Sequence, residues 1–340
     1  MKAVRIHEFG GPEVLKYEDA PDPILRKDQV LVRVRACALN HLDLWVRGGL
    51  KGVTLPHILG SDIAGEVVES GEYITDIKPG TRVLLAPMVF CNHCEQCMAG
   101  RHNLCPQFAV RGNTVDGGNC ERVAVTRESV IPIPDSLDFV NAASVPLVFL
   151  TAWHMLLGRA HLRAGQTVLV LGAGSGVGSA AIQISKMLGA EVITTAGDER
   201  KLAKARELGA DHTIDHYKQK IADEVRRITN KRGVDVVFEH VGQATWPDSV
   251  RSLKPGGTLV TCGATTGYDG QLDLRVLFAK QISLLGSYMG EMGELHEVLK
   301  HVFSGKLKPV VDRTFPLSET RAAHEYLQKG EMFGKVVLMV

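Results

Sequence analysis

The chain lacks any apolar run near the ~20 residues that a membrane-spanning helix needs, so a helical membrane protein is excluded. It also lacks a charge excess. Its 39 Lys and Arg stand against 38 Asp and Glu, for a net charge of +1. That balance gives no general attraction to polyanions or lipid surfaces, so neither nucleic acid nor a membrane is expected as a partner. The opening segment MKAVRIHEFG has no apolar core of a secretion signal and reads as a first strand. Cytoplasm is the expected location. No internal repeat and no low-complexity tract is visible. Cys37, Cys120 and Cys262 are scattered and offer no disulfide framework. With 340 residues the chain has room for two domains.

The other four cysteines are the strongest local signal. Cys91, Cys94, Cys97 and Cys105 read C-x2-C-x2-C-x7-C. Four thiolates so close in sequence can meet on one tetrahedral Zn²⁺, and a shell of four sulfurs leaves no open position for a substrate. The spacing therefore predicts one structural zinc per chain. Two disulfides or a set of free thiols is the alternative. Gly100, Arg101 and Gly112 suit an exposed lobe around the cluster.

Residues 1–129 carry short β-branched runs broken by Gly and Pro, among them QVLVRVRACAL, IAGEVVES, TRVLLAP and ERVAVTR. Runs at this density predict a partly open β-barrel. From about residue 130 the pattern changes. DSLDFVNAASVPLVFLTAWHMLL opens on a cap signal and carries helical spacing. Strands such as TVLVLGAG, EVITTAG, VDVVFEHVG and TLVTCGATTG then alternate with helical segments, the pattern of a parallel sheet covered on both faces. The terminal GKVVLMV is expected to return to the first domain. The predicted division is 1–129 with 291–340, carrying a cysteine lobe at 91–105, and 130–290 as an inserted doubly wound α/β domain, with the active site in the cleft between them.

The first strand–helix turn of that second domain reads Gly172-Ala173-Gly174-Ser175-Gly176-Val177-Gly178. Glycines there allow a tight turn, and the helix N-terminus offers N–H groups to a pyrophosphate. A G-x-G-x-x-G match fails by one place, at Gly178. The next strand, EVITTAGDERK, holds Ala196 and Gly197 where an enzyme using NAD usually places a ribose-binding acid. Arg200 and Lys201 just beyond could meet a 2′-phosphate, whereas Asp198 could still serve a ribose. NADPH is the expected cofactor and NADH the alternative.

These motifs together resemble the medium-chain dehydrogenase/reductase superfamily of zinc alcohol dehydrogenases and quinone oxidoreductases. The likeness rests on MKAVRIHEFGGPEVL, QVLVRVRACALNHLD, ILGSDIAGEVVESG, the cysteine lobe, GAGSGVG and ARELGAD. It implies a GroES-like catalytic domain beside a Rossmann domain, and a structural zinc on the four cysteines. It also implies three ligand positions for a catalytic zinc, which here hold Asn40, Ser61 and a residue near Leu147. An amide, a hydroxyl and an alkyl chain do not make that set. An unorthodox set drawn from Cys37, His41, Asp43, His57 and Asp62 is the alternative. Asn40 in this position resembles the quinone oxidoreductase side. The resemblance implies hydride transfer to an enone, quinone or enoyl thioester, and Thr151 beside the nicotinamide. Such a transfer needs a donor to the substrate carbonyl, a backbone N–H or a side chain such as Asn40, and a proton for the α-carbon from water or from His41, Tyr268 or Tyr288, with Asp43 and Asp62 expected to orient loops or the ribose. Val241, Cys262, Gly263 and Tyr288 follow later strands and are expected along the cofactor. A zinc alcohol dehydrogenase and a cofactor-binding protein without turnover are the other readings. A homodimer or homotetramer is expected through ISLLGSYMG.

Overall fold

The computed structural model describes all residues, Met1–Val340. They form two compact units, Met1–Leu147 with Glu291–Val340, and Val148–Gly290. The first unit is built on a seven-stranded sheet. Its path runs Val130–Pro132, Arg82–Leu85, Asp62–Ser70, Gln29–Ala38, Lys335–Met339, Val311–Pro316, and Arg122–Thr126 pairs as well with Gln29–Ala38. Alternation along Gln29–Ala38 sends Val30, Val32 and Val34 into a core with Ile63, Val67, Val83 and Val125. A smaller sheet joins Lys16–Asp19, Lys2–Ile6 and His57–Ile58.

The returning C-terminal strand has one consequence for the chemistry. Lys335–Met339 pairs antiparallel with the end of Gln29–Ala38, Val337 opposite Ala38. The same strand end pairs Ala38 with Asp62. Lys335, Asn40 and Asp62, far apart in sequence, are thereby brought to one place.

The boundary between the units lies at 147/148 rather than at the expected 129/130. Residues 130–147 stay with the first unit because Val130–Pro132 completes its sheet and the helix Phe139–Ala143 packs on the strands Gln29–Ala38 and Asp62–Ser70. The single predicted helical stretch is also two helices. Asp138 caps the first through the Asn141 N–H (2.8 Å). Pro146 begins the second, Pro146–Trp153, as a residue with no N–H to give to a preceding turn.

The second unit holds a six-stranded, all-parallel sheet in the order His212–Asp215, Glu191–Ala196, Thr167–Val170, Val234–Glu239, Leu253–Thr261, Ser283–Gly286. Thr167–Val170 and Val234–Glu239 are buried along their whole length, as strands covered on both faces must be. The strand order reverses between these two, which is where the carboxyl ends of a doubly wound sheet open a crevice.

The first unit also buries an unusual pair on the helices His41–Arg47 and Thr320–Lys329. Arg47, 4% exposed, reaches the Gly10 carbonyl (3.2 Å), the Gln328 side-chain oxygen (3.3 Å) and His324 Nδ1 (3.1 Å). Burial, with the Arg47 charge beside it, pushes the His324 pKa down to about 3. The unfolded chain takes up a proton near pH 6.5 that the folded chain refuses until far lower pH. Stability is therefore lost as pH falls from about 7 toward 4, by up to about 1.4 kcal/mol per pH unit from this group. His324→Gln, which keeps an acceptor for Arg47, should flatten that slope in urea unfolding curves taken at pH 7, 6 and 5. An unchanged slope would remove His324 as its source.

Candidate active site and metal lobe

The cysteine lobe has the geometry of a metal centre. The four Sγ atoms lie within 4.8 Å of one another. Cys91 is 3.9 Å from Cys97 and 3.6 Å from Cys105, sulfur to sulfur. Four sulfurs about 2.3 Å from one zinc stand about 3.8 Å apart in a tetrahedron, so the spacing fits zinc. None of the seven cysteines forms a disulfide. The local fold prepares the ligands. Cys94 caps the short helix Glu95–Met98, and its sulfur accepts from the Cys97 N–H (3.5 Å). The His93 and Cys94 backbone N–H groups aimed at Cys91 help lower its pKa to about 6, while burial raises that of Cys97 to about 12. Bound zinc deprotonates such thiols outright.

No second set of three or more His, Cys, Asp or Glu ligand atoms gathers anywhere in the chain. The alternative drawn from Cys37, His41, Asp43, His57 and Asp62 is not assembled. Cys37 is fully buried in its strand, and burial raises its thiol pKa well above the ordinary value. His57 turns to Asp116 (3.3 Å). His41 is half-buried at the first position of its helix.

At Asn40, one of the positions that the resemblance gives to metal ligands, stands a buried polar cluster, while Ser61, at another, is fully buried with an unpartnered Oγ. Lys335 Nζ donates to Asn40 Oδ1 (2.6 Å) and to Asp62 Oδ2 (2.9 Å). Asn40 Nδ2 donates to the same Asp62 oxygen (2.9 Å). The other Asp62 oxygen accepts from the Leu147 backbone N–H (2.7 Å). Asp43 accepts from the backbone N–H groups of Asn40 (2.7 Å) and Gly60 (3.0 Å). Asp43 and Asp62 are fully buried, Lys335 is 3% exposed and Asn40 7%. Burial pushes the Asp43 pKa up to about 6 against the pull of those N–H groups and of Lys335. Gly60 has φ +101°, and a Cβ there would sit 2.6 Å from Cys37 Sγ and 2.5 Å from Asn119 Oδ1, so only glycine lets this loop approach.

In the second unit the glycine turn is shaped as a phosphate cradle. Ser175 caps the helix Gly176–Met187. Its Oγ accepts from the Gly178 N–H (2.9 Å) and donates to the Gly172 carbonyl (2.9 Å). A Cβ on Gly178 would lie 2.3 Å from that carbonyl oxygen, which explains a glycine one place later than the common pattern. Gly174, Gly176 and Val177 complete the rim, partly exposed. Thr195 Oγ1 accepts from the Gly172 N–H (3.1 Å). Asp198 caps the helix Glu199–Glu207 through the Lys201 N–H (2.9 Å), which occupies one of its oxygens. Arg200 is exposed and Lys201 half-buried on the first turn of that helix. Val241, Cys262, Gly263 and Tyr288 follow three later strands of the sheet, so the parallel arrangement gathers them along its carboxyl edge with the glycine turn. Thr151, 5% exposed, has a buried Oγ1 with no hydrogen-bond partner in the chain. An orphaned hydroxyl of this kind fits a missing ligand. The turn, the switch-point crevice and this hydroxyl all fit a nicotinamide dinucleotide.

Comparison with known proteins agrees with both units. A family model for the alcohol dehydrogenase GroES-like domain matches residues 26–135, and one for zinc-binding dehydrogenases matches 176–304. Quinone oxidoreductase of Pongo abelii is 30% identical over 100% of this chain and 98% of its own length. An NAD-dependent alcohol dehydrogenase of Sulfolobus acidocaldarius is 33% identical, with both chains covered completely. The crystal structure of another NAD-dependent alcohol dehydrogenase superposes with a TM-score of 0.97 at 42% identity, again over both whole chains. The chain belongs to the medium-chain dehydrogenase/reductase superfamily.

It is thus an oxidoreductase, as its superfamily relatives are. Two residues that matter to its sites escape a reading of motifs. Lys335 carries the only charge in the strand KVVLM, whose other residues are apolar, and a lone charge of that kind was the available signal. Glu239 ends an otherwise buried strand, fully buried itself, and accepts from the N–H groups of Val241 (2.7 Å) and Gly242 (3.1 Å) and from the hydroxyls of Thr245 and Ser249. Next to it, His240 Nε2 lies 2.8 Å from the Leu171 carbonyl and 3.3 Å from Ser175 Oγ, so this side chain braces the glycine turn from the neighbouring strand.

The lobe geometry predicts one zinc per purified chain by elemental analysis. Cys105→Ser should bring that figure toward zero and lower the melting temperature. Retention of a full zinc equivalent in that variant would contradict the four-sulfur site.

Proposed function

We propose that this oxidoreductase reduces activated C=C bonds and quinones (enones, quinones or enoyl thioesters) with NADPH and uses no metal at the reacting carbon. The observation that carries this reading is the ligand inventory. Only the cysteine lobe gathers metal ligands, and the side chain of Asn40, at one expected ligand position, is engaged by Lys335 and Asp62. A four-sulfur shell has no open position for an alcohol, and without a Lewis acid nothing in this cluster acidifies a hydroxyl.

The bound cofactor would supply the hydride. The chain's own groups have separate tasks. The glycine turn and the start of the helix Gly176–Met187 hold the pyrophosphate. Thr151 offers its unpartnered hydroxyl to the nicotinamide end. In conjugate reduction the β-carbon accepts the hydride, the π electrons move onto the carbonyl oxygen, and the α-carbon then takes a proton. The oxygen needs a hydrogen-bond donor. Asn40 spends one of its two Nδ2 hydrogens on Asp62 and keeps the other for such an oxygen. Its own oxygen is held by Lys335, so the amide can face a substrate only as a donor. Among the proton-donor candidates, Tyr268 is 88% exposed and Tyr288 52%, whereas His41 adjoins Asn40.

The preference for NADPH rests on Ala196 in the place of a ribose-binding acid, on the capping role of Asp198, and on Arg200 and Lys201 beside them. Two relatives are named NAD-dependent, and NADH is the alternative cofactor. A homo-oligomer is part of the same reading. Ser283–Gly286 is the edge strand of its sheet, and the exposed Phe278 and Leu274 lie just before it.

Purified protein should oxidise NADPH steadily with a quinone or an α,β-unsaturated ketone, with kcat/KM at least tenfold above that for NADH. The pair Arg200→Ala and Lys201→Ala should erase about 1.4 kcal/mol of that preference, a factor of ten. Alcohol oxidation with NAD⁺ and no turnover of either alkene or quinone would contradict the assignment. Light scattering on the same preparation should give a multiple of the chain mass, and a monomer would remove the oligomer.

A further inference from the structure

We propose that His240 is a positioning residue for the dinucleotide: its neutral imidazole, carrying its hydrogen on Nε2, dictates where the Ser175 hydroxyl points and so holds the glycine turn in its phosphate-binding shape.

The ring stands between the two strands at the switch point. His240 follows Val234–Glu239, and Leu171 follows Thr167–Val170. Its Nε2 lies 2.8 Å from the Leu171 carbonyl oxygen and 3.3 Å from Ser175 Oγ. The ring also fills the space beside Gly172, where a Cβ would lie 3.2 Å from its Cε1 and 3.3 Å from its Nε2. The backbone that carries the ring is fixed as well. The His240 carbonyl accepts from Thr265 Oγ1 (3.1 Å), and a Cβ on Gly263 would stand 2.8 Å from the same oxygen.

Donor and acceptor chemistry then settles each hydrogen. A carbonyl oxygen only accepts, so an Nε2 at 2.8 Å from one carries a hydrogen. Burial favours the neutral ring, against the pull of the Glu239 carboxylate, and leaves Nδ1 without one. The Nε2 hydrogen also faces Ser175 Oγ, and the Gly178 N–H reaches that oxygen at 2.9 Å. Both lone pairs of the hydroxyl thus meet donors. Its own hydrogen cannot go to Nε2, and it goes to the Gly172 carbonyl (2.9 Å). The same carbonyl takes the Ser175 N–H (3.0 Å), which closes the turn. Gly176 and Val177 open the helix Gly176–Met187, and their N–H groups have no partner within it. The closed turn leaves those two for phosphate oxygens. Without the Nε2 hydrogen, the Ser175 hydroxyl is free to turn away from Gly172, and the Leu171 carbonyl loses a donor.

His240 serves NADPH or NADH alike, so its role rests on the dinucleotide part of the proposed function and not on the substrate. The test titrates the full-length, zinc-loaded chain with NADPH and with NADH and follows nicotinamide fluorescence. His240→Phe keeps a ring and loses the donor; it should weaken the tighter dinucleotide about tenfold. His240→Ala replaces it if that variant does not fold. His240→Gln, whose Nε2 can stand where the imidazole Nε2 stood, should stay within about twofold of the wild type. In the ¹⁵N spectrum of the histidine-labelled wild type at pH 7, the signal that His240→Gln removes should be that of a neutral ring with its hydrogen on Nε2. Wild-type affinity in His240→Phe or His240→Ala would overturn the proposal. So would a glutamine variant as weak as those two, or a ring that is charged or carries its hydrogen on Nδ1. If the wild type binds neither dinucleotide, the cofactor reading itself falls, and the role of His240 with it.

Discussion

The architecture of the candidate active site depends on one buried ion pair. Lys335 arrives on the last strand and meets Asp62 at the head of another, with Asn40 between them. Removing one partner of a buried pair typically costs about 3–5 kcal/mol, because the other charge stays behind uncompensated. Here the loss would be softened, since Asp62 keeps the Leu147 and Asn40 N–H groups. The same pair makes the position of the C-terminal strand a condition of the site. A slip of one residue in the pairing with Gln29–Ala38 would send Lys335 to the opposite face of the sheet.

The second unit solves its own problem by the same means, a buried acid surrounded by donors. Glu239 gathers two backbone N–H groups and two hydroxyls, and so sets the turn at Val241 and Gly242. His240 beside it touches the glycine turn across the switch point. Its imidazole, desolvated by its surroundings, is held below its ordinary pKa, which suits a neutral ring whose Nε2–H donates to the Leu171 carbonyl. The cofactor-binding edge is therefore preorganised by neighbours that carry no motif, and the glycines supply only the room.

How much of this was legible in the chain follows from the range of each signal. The cysteine spacing is local, and it led directly to sulfurs at metal-ligand distances. The alternation of buried strands and helices is also local, and it gave the parallel sheet and its glycine turn. The division at 147/148 was not legible, because residues 130–147 join the first unit through sheet pairing and packing that no local pattern displays. The break before Pro146 was hidden in a stretch whose helical spacing continues across it. That Asn40 and Ser61 stand at two expected ligand positions could be read from the chain, but the partner that holds the Asn40 amide could not. Lys335 sits 295 residues from Asn40, and only the register of an antiparallel pair brings them together.

The central claim is that the metal in this enzyme is held by sulfur, in the cysteine lobe, and that none serves the proposed reaction. Zinc K-edge X-ray absorption on the intact protein, equilibrated with excess zinc and freed of unbound metal, tests it most directly. The account predicts a single shell of four sulfurs at about 2.3 Å and no nitrogen or oxygen neighbours. A mixed shell, with a substantial fraction of nitrogen or oxygen ligands at about 2.0–2.2 Å, would reveal a second zinc and contradict it.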